Sequence, residues 1–158
     1  MDISLYWLMV SVFVLYVGAV WLIYGKQKSI SASYYCWPGN WKILFTLFCW
    51  GFAFPAIVLG ITTTPLMFFA GIGIMFVGAA AEINIPWVYR KHMVFAISGI
   101  IFSQLAIYFG YHMPEVNIAS LALTGLILIL TIKKNKEFRF WFIEIVAFLA
   151  ICYTMWPY

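Results

Sequence analysis

Long apolar segments separated by short polar breaks run along the whole chain. Each apolar segment has about the 17 to 25 residues that a membrane-spanning helix needs, so the pattern predicts six spanning helices. The predicted helices cover about residues 3–24, 43–59, 65–81, 93–109, 116–132 and 140–156. The connections are short, which makes successive helices antiparallel neighbours. We therefore expect an all-α integral membrane protein in which residues 1–158 form a single six-transmembrane-helix bundle.

The composition agrees with a protein whose exterior faces lipid. Of its 158 residues, 66% are hydrophobic and 9% are charged, whereas a soluble domain carries about 25% charged residues. Only a lipid environment makes so apolar an exterior favourable.

The basic residues fall in alternate connections of the six-helix scheme. All nine Lys and Arg residues lie in the first, third and fifth connections. Because cytoplasmic loops are enriched in Lys and Arg, we expect loops 1, 3 and 5 to be cytoplasmic and both termini to lie on the opposite side. The expected location is a bacterial inner membrane.

Anchoring and orientation explain the net charge of +4, so we expect no nucleic-acid partner.

The longest polar break, KQKSISASYYCWPGNWK at 26–42, follows the first helix and forms loop 1. Its three serines stand at every second position and would share one side of an extended segment. Such hydroxyl groups, with an acid and a histidine from other cytoplasmic helix ends, could bind a phosphate head group or support acid–base chemistry. Equally, they could cap helix 2 and satisfy the loop backbone, as a plain connector would.

Three ionisable residues are expected near this loop. Glu144 lies inside helix 6. An ionisable residue within a spanning helix is a functional candidate by default. Because Glu144 is at a shallow depth, it could instead contact head-group water or a Lys or Arg of a neighbouring loop. The candidate ligand-binding residues are Ser29, Ser31, Tyr34, Tyr35, Glu82, His92 and Glu144. A zinc site needs three or four Cys, His or carboxylate ligands, and only His92, Glu82 and Glu144 approach one, with Cys36 as an outside candidate. We expect no metal and no cofactor.

Helices 3 and 4 carry two further patterns. Ser98, Ser103 and Gln104 give helix 4 polar positions that either hydrogen-bond between helices or line a small pathway. Small residues let helix backbones approach closely in lipid. In helix 3 the small residues support either tight internal packing or a homo-oligomer through Gly71, Gly73 and Gly78.

Three landmarks resemble a family of small bacterial membrane proteins of unknown function. The segment KSISASYY matches their Ser-Ile-Ser-x-Tyr-Tyr segment after the first helix, KHMVFAIS carries their histidine near helix 4, and RFWFIEI carries their glutamate in the last helix. Lys28 stands where that family has proline. These proteins are loosely similar to the Frag/Sfk-type six-helix proteins linked to lipid remodelling, and the resemblance implies a six-helix shape.

The function expected is a non-catalytic, lipid- or amphiphile-interacting protein that works at its cytoplasmic face, with membrane lipids as partners. An oligomeric small channel or transporter is one alternative, supported by the polar positions of helix 4. An intramembrane enzyme that modifies a lipid is another, supported by the acid and histidine near loop 1.

Overall fold

The computed structural model describes residues 3–81, 86–131 and 138–156, together with their side chains except those of 81 and 86–91. This part of the chain is all helical, without strands. Its six α-helices are α1 (Ile3–Tyr24), α2 (Ile43–Thr63), α3 (Pro65–Ala81), α4 (Pro86–Leu105), α5 (Pro114–Leu130) and α6 (Arg139–Thr154). Two 3₁₀ turns, Ser31–Cys36 and Gly39–Lys42, occupy the first connection, and a π-helical turn, Ala106–Gly110, extends α4.

The largest difference from the predicted bounds is at the start of α4. This helix begins at Pro86 rather than near residue 93. Proline suits the first helical position because its fixed φ is helical and its missing N–H is not needed there. Arg90 and Lys91 therefore lie in the helix rather than in a loop, and His92 lies in its second turn rather than at its beginning.

The helices form a bundle in which α3 packs between α2 and α4, and α6 contacts both α1 and α5. Aromatic rings fill the space between α1, α2 and α6. Phe148 stacks on Phe13 with ring centroids 5.5 Å apart and meets Phe52 edge-on at 4.6 Å. Such ring pairs add about 0.5–1.5 kcal/mol beyond their area burial.

The glycines of α3 allow the closest helix approaches. A Cβ on Gly78 would lie 2.7 Å from the Cβ of Cys49 in α2, and one on Gly73 would lie 2.9 Å from the Cα of Gly99 in α4. Gly71 meets α2 in the same way. These contacts lie within one chain, and a homo-oligomer through the three glycines stays a prediction.

Contacts near the helix ends show which ends lie together in the bundle. Glu144, near the start of α6, bonds to the loop that follows α1. At the other end of the bundle, the Thr63 hydroxyl lies 3.0 Å from the Tyr111 hydroxyl. This contact joins the end of α2 to the connection before α5. Tyr6 and Trp156, near the two termini, meet edge-on at 5.1 Å.

Among the residues that the structure describes, three helices are long and apolar enough to cross a membrane: Ile3–Tyr24, Gly39–Thr63 and His92–Gly110. Large apolar side chains cover the outside of the bundle, among them Leu22 at 88% exposure and Leu15 at 72%. An exterior of this kind is compatible with an integral membrane protein.

Candidate functional site

Loop 1 is helical rather than extended at its serines. Ser31–Cys36 forms a 3₁₀ helix, so the segment is not extended there and the condition for three serines on one side is not met. The Ser29 hydroxyl accepts the Ala32 N–H at 2.9 Å and lies 3.0 Å from the Ser31 hydroxyl. Serine side chains that bond to nearby backbone groups favour such turns. Two of the candidate hydroxyls therefore help to build the loop.

Glu144 supplies the acceptor at the start of this 3₁₀ helix. The residue that precedes the helix, Ile30, has no side-chain cap of its own. The Glu144 carboxylate, which reaches over from α6, accepts the backbone N–H groups of Ile30 and Ser31. A carboxylate at a helix N-terminus satisfies free N–H groups and stabilises the helix electrostatically.

A second buried network ties loop 1 to α1. Ser33 is fully buried, and its hydroxyl lies 2.6 Å from the Tyr16 hydroxyl and donates to the Ile30 carbonyl at 2.5 Å. The Trp37 indole N–H donates to the same Tyr16 oxygen at 3.3 Å. Sequence reasoning did not select Tyr16 or Trp37, although a tyrosine within a span needs a hydroxyl partner when it is buried.

The two tyrosines of the candidate set have different positions. Tyr34 is buried, and the Lys42 ammonium lies 5.2 Å from its ring centroid. Tyr35 is 67% exposed and meets the Tyr34 ring edge-on. The ammonium of a second lysine, Lys26, lies 5.6 Å from the ring centroid of Phe142 in α6. Cation–π contacts of this kind contribute about 0.5–1 kcal/mol at exposed sites.

A cavity of about 60 Å³ lies beneath loop 1, between α2, α3, α4 and α6. Its lining is mostly apolar, and its polar members include Glu144, Ser31 and Ser103. Ser103 is fully buried and donates to the Ile100 carbonyl of its own helix at 2.8 Å. A space of this size can hold a few water molecules, each of which needs about 10–15 Å³.

His92 and Glu144 bond to different groups. The His92 imidazole bonds to the backbone carbonyl of Val77, whose side chain lines the cavity. Glu82 lies outside the described residues, so its place near this site stays a prediction. Within the described part of the chain, no three His, Cys, Asp or Glu side chains come together as metal ligands.

Gln104 joins α4 to α5. Its side-chain oxygen accepts the Asn117 amide N–H at 2.9 Å and the Ser120 hydroxyl at 2.9 Å. Ser98 donates to the Phe95 carbonyl of its own helix at 3.1 Å. The geometry at Gln104 is that of an interhelical bond. Sequence reasoning did not select Asn117 or Ser120, although a spacing of three residues places both on one helix face.

Comparison of the chain with protein-family models, curated proteins and solved structures finds no match. The resemblance to small six-helix membrane proteins and to Frag/Sfk-type proteins stays a prediction from the sequence.

Proposed function

We propose that this chain crosses a bacterial-type inner membrane six times and binds lipids or other amphiphiles at its cytoplasmic face. In this proposal loops 1, 3 and 5 lie in the cytoplasm and both termini lie outside. The role is non-catalytic.

The contacts between helix ends support the six crossings. At one end of the bundle, loop 1 contacts the start of α6. At the opposite end, the end of α2 contacts the connection before α5. Helices α3, α5 and α6 have 17, 17 and 16 residues, close to the lower limit of about 17 for a span. Local thinning of the bilayer accommodates such lengths at modest cost.

The observation that carries the lipid-binding proposal is the way Glu144 holds the 3₁₀ helix of loop 1. With its backbone fixed by α1 and α6, the loop presents Tyr35 at 67% exposure and Trp41 at 62%, next to the exposed Lys28. Exposed aromatic rings favour the head-group level of a membrane. Lysines near the surface attract anionic lipids, at about 1 kcal/mol each.

Native mass spectrometry of the purified protein with phosphatidylglycerol tests this proposal. Alanine at Lys26, Lys28 and Lys42 should lower lipid binding about fivefold for each lysine that contacts a head group. The matched control is alanine at Lys133, Lys134 and Lys136 in loop 5, which removes the same charge. Equal losses in the two variants would show that general charge, rather than loop 1, attracts the lipid.

The cavity favours a channel or transporter as the second candidate. Glu144 and Ser103 both line this space between the helices, and acids at such positions mark ion and proton pathways. Flux of protons or small cations into vesicles that contain the protein would support this candidate if Glu144→Gln abolishes the flux. Equal flux in protein-free vesicles would exclude it.

A further inference from the structure

Loop 1 covers one end of the cavity that lies between α2, α3, α4 and α6. Ile30 and Ser31 of the loop line the cavity, and Ile30 is only 2% exposed. On α6 the lining extends from Glu144 to Ile151, which is about 10 Å at 1.5 Å per residue. The loop therefore covers the end of an elongated space that reaches into the bundle.

Ile30 is held by bonds that lead to two helices. Its N–H donates to the Glu144 carboxylate of α6. Its carbonyl accepts the hydroxyl of Ser33, which lies 2.6 Å from the Tyr16 hydroxyl of α1. Loss of either support would weaken the hold on the residue that covers the cavity.

Glycines with positive φ stand at both ends of this part of the loop. Gly25 has a φ of 72° and follows α1, and Gly39 has a φ of 51° and begins the second 3₁₀ turn. A Cβ at either position would meet no described atom within 4 Å. Because glycine adopts positive and negative φ about equally well, both positions can change the direction of the chain at low cost. Such positions at the ends of a segment act as hinges.

We infer that residues 26–38 form a lid over the cavity, which turns about Gly25 and Gly39 and is latched by Glu144. When the latch opens, water and solutes of similar size enter the cavity from the loop 1 end. This conformational device goes beyond lipid binding, although it depends on the same contact of Glu144 with loop 1.

Cys49 is a natural reporter of the lid. It lines the cavity and is 1% exposed. Cys152 is also buried, but it lines a different groove, between α1, α5 and α6. A change in reactivity at Cys49 alone therefore reports the lid, whereas an equal change at both thiols reports loosening of the whole bundle.

Thiol modification of the purified, delipidated full-length protein in detergent micelles tests the inference. The probe is 2-sulfonatoethyl methanethiolsulfonate, whose charge keeps it in water, and peptide mass spectrometry gives the rate at each cysteine. Glu144→Ala should raise the rate at Cys49 about tenfold and Tyr16→Phe about fivefold, because each removes a bond that holds the lid. Glu115→Ala, which removes an exposed acid from α5, is the matched control and should leave the rate unchanged.

Three outcomes would overturn the inference. An unchanged rate at Cys49 in Glu144→Ala would show that the loop does not act as a lid. A faster rate in Glu144→Ala but not in Tyr16→Phe would show an effect of the lost carboxylate on the thiol rather than an open lid. Equal increases at Cys49 and Cys152 would show a loosened bundle. These measurements contain no lipid, so failure of the lid and failure of the proposed lipid binding are distinguishable.

Discussion

The carboxylate of Glu144 in α6 accepts the backbone N–H of Ile30, which lies 114 positions earlier in the chain. Through this bond the polar break between α1 and α2 is attached to the last helix of the bundle. Ser33 and Tyr16 attach the same loop to the first helix. Loop 1 is therefore attached to two helices, α6 through Glu144 and α1 through Tyr16.

Removal of the Glu144 carboxylate should destabilise the fold. We expect Glu144→Ala to lower the free energy of unfolding by about 2 kcal/mol, because two N–H groups of loop 1 lose their side-chain acceptor. Unfolding by SDS titration in mixed micelles measures this change. Glu115→Ala, at an exposed site, should stay within about 0.5 kcal/mol of the native chain. Equal effects of the two variants would contradict the supporting role of Glu144.

The bond between Gln104 and Asn117 should couple α4 to α5. We expect a double-mutant cycle of Gln104→Leu and Asn117→Leu to give a coupling energy of about 0.6 kcal/mol in the unfolding free energy, the average for hydrogen bonds between membrane helices, and at most about 1.7 kcal/mol. Ser98→Ala, which removes only a bond within α4, serves as the partner for a control cycle with Asn117→Leu. Strict additivity of the Gln104 and Asn117 changes would show that the bond contributes nothing.

A methyl group added to α3 should disturb its packing on α4. The Cβ of Gly73→Ala would lie 2.9 Å from the Cα of Gly99, so we expect a loss of about 1–3 kcal/mol in the free energy of unfolding. Gly125→Ala is the control, because its Cβ meets no atom within 4 Å and alanine favours a helix. A stable Gly73→Ala variant with a reduced oligomeric mass would instead place Gly73 at a contact between copies.

The thiol of Cys36 should react slowly at neutral pH. Burial raises its pKa above the ordinary value of 9.0, and only the thiolate is nucleophilic. We expect its labelling rate with a membrane-impermeant maleimide to become half-maximal at a higher pH than the rate of a free reference thiol, which is half-maximal at its pKa of 9.0. Unfolding stability should fall over the same range, because the unfolded chain loses its proton first as the pH rises.

The same labelling reports the side on which loop 1 lies. Cys49 and Cys152 are buried and should stay unlabelled. In the proposed topology the reagent reaches Cys36 in inverted vesicles but not in intact spheroplasts. Labelling of Cys36 in spheroplasts would reverse the orientation.

Features that depend on local pattern could be predicted from the sequence. The bounds of α1 and α3 agree with the apolar runs, and Pro65 starts α3 directly after Thr64. The start of α4 was missed because Arg90 and Lys91 suggested a loop, although Pro86 is a good first helical residue.

Features that depend on distant contacts could not be predicted. The serines of SISASYY favour a turn, because the Ser29 hydroxyl can accept the nearby Ala32 N–H. Nothing local indicates that Glu144, on another helix, supplies a further acceptor for this turn. His92 was grouped with Glu144 because both were expected on the same side of the membrane. Its described partner is a backbone carbonyl, that of Val77, and a carbonyl acceptor has no signature in the side-chain pattern.

Photo-crosslinking of a lipid to loop 1 tests the central claim most directly. Phosphatidylglycerol that carries a photoactivatable group on its head is added to the protein in nanodiscs, and labelled peptides are identified by mass spectrometry. We predict labels at Lys28, Tyr35 and Trp41 in the native chain, and a marked loss of these labels in Glu144→Ala, which frees the loop from α6. Labels confined to other connections, or unchanged labelling in Glu144→Ala, would contradict the account of loop 1 as a lipid-binding surface held by Glu144.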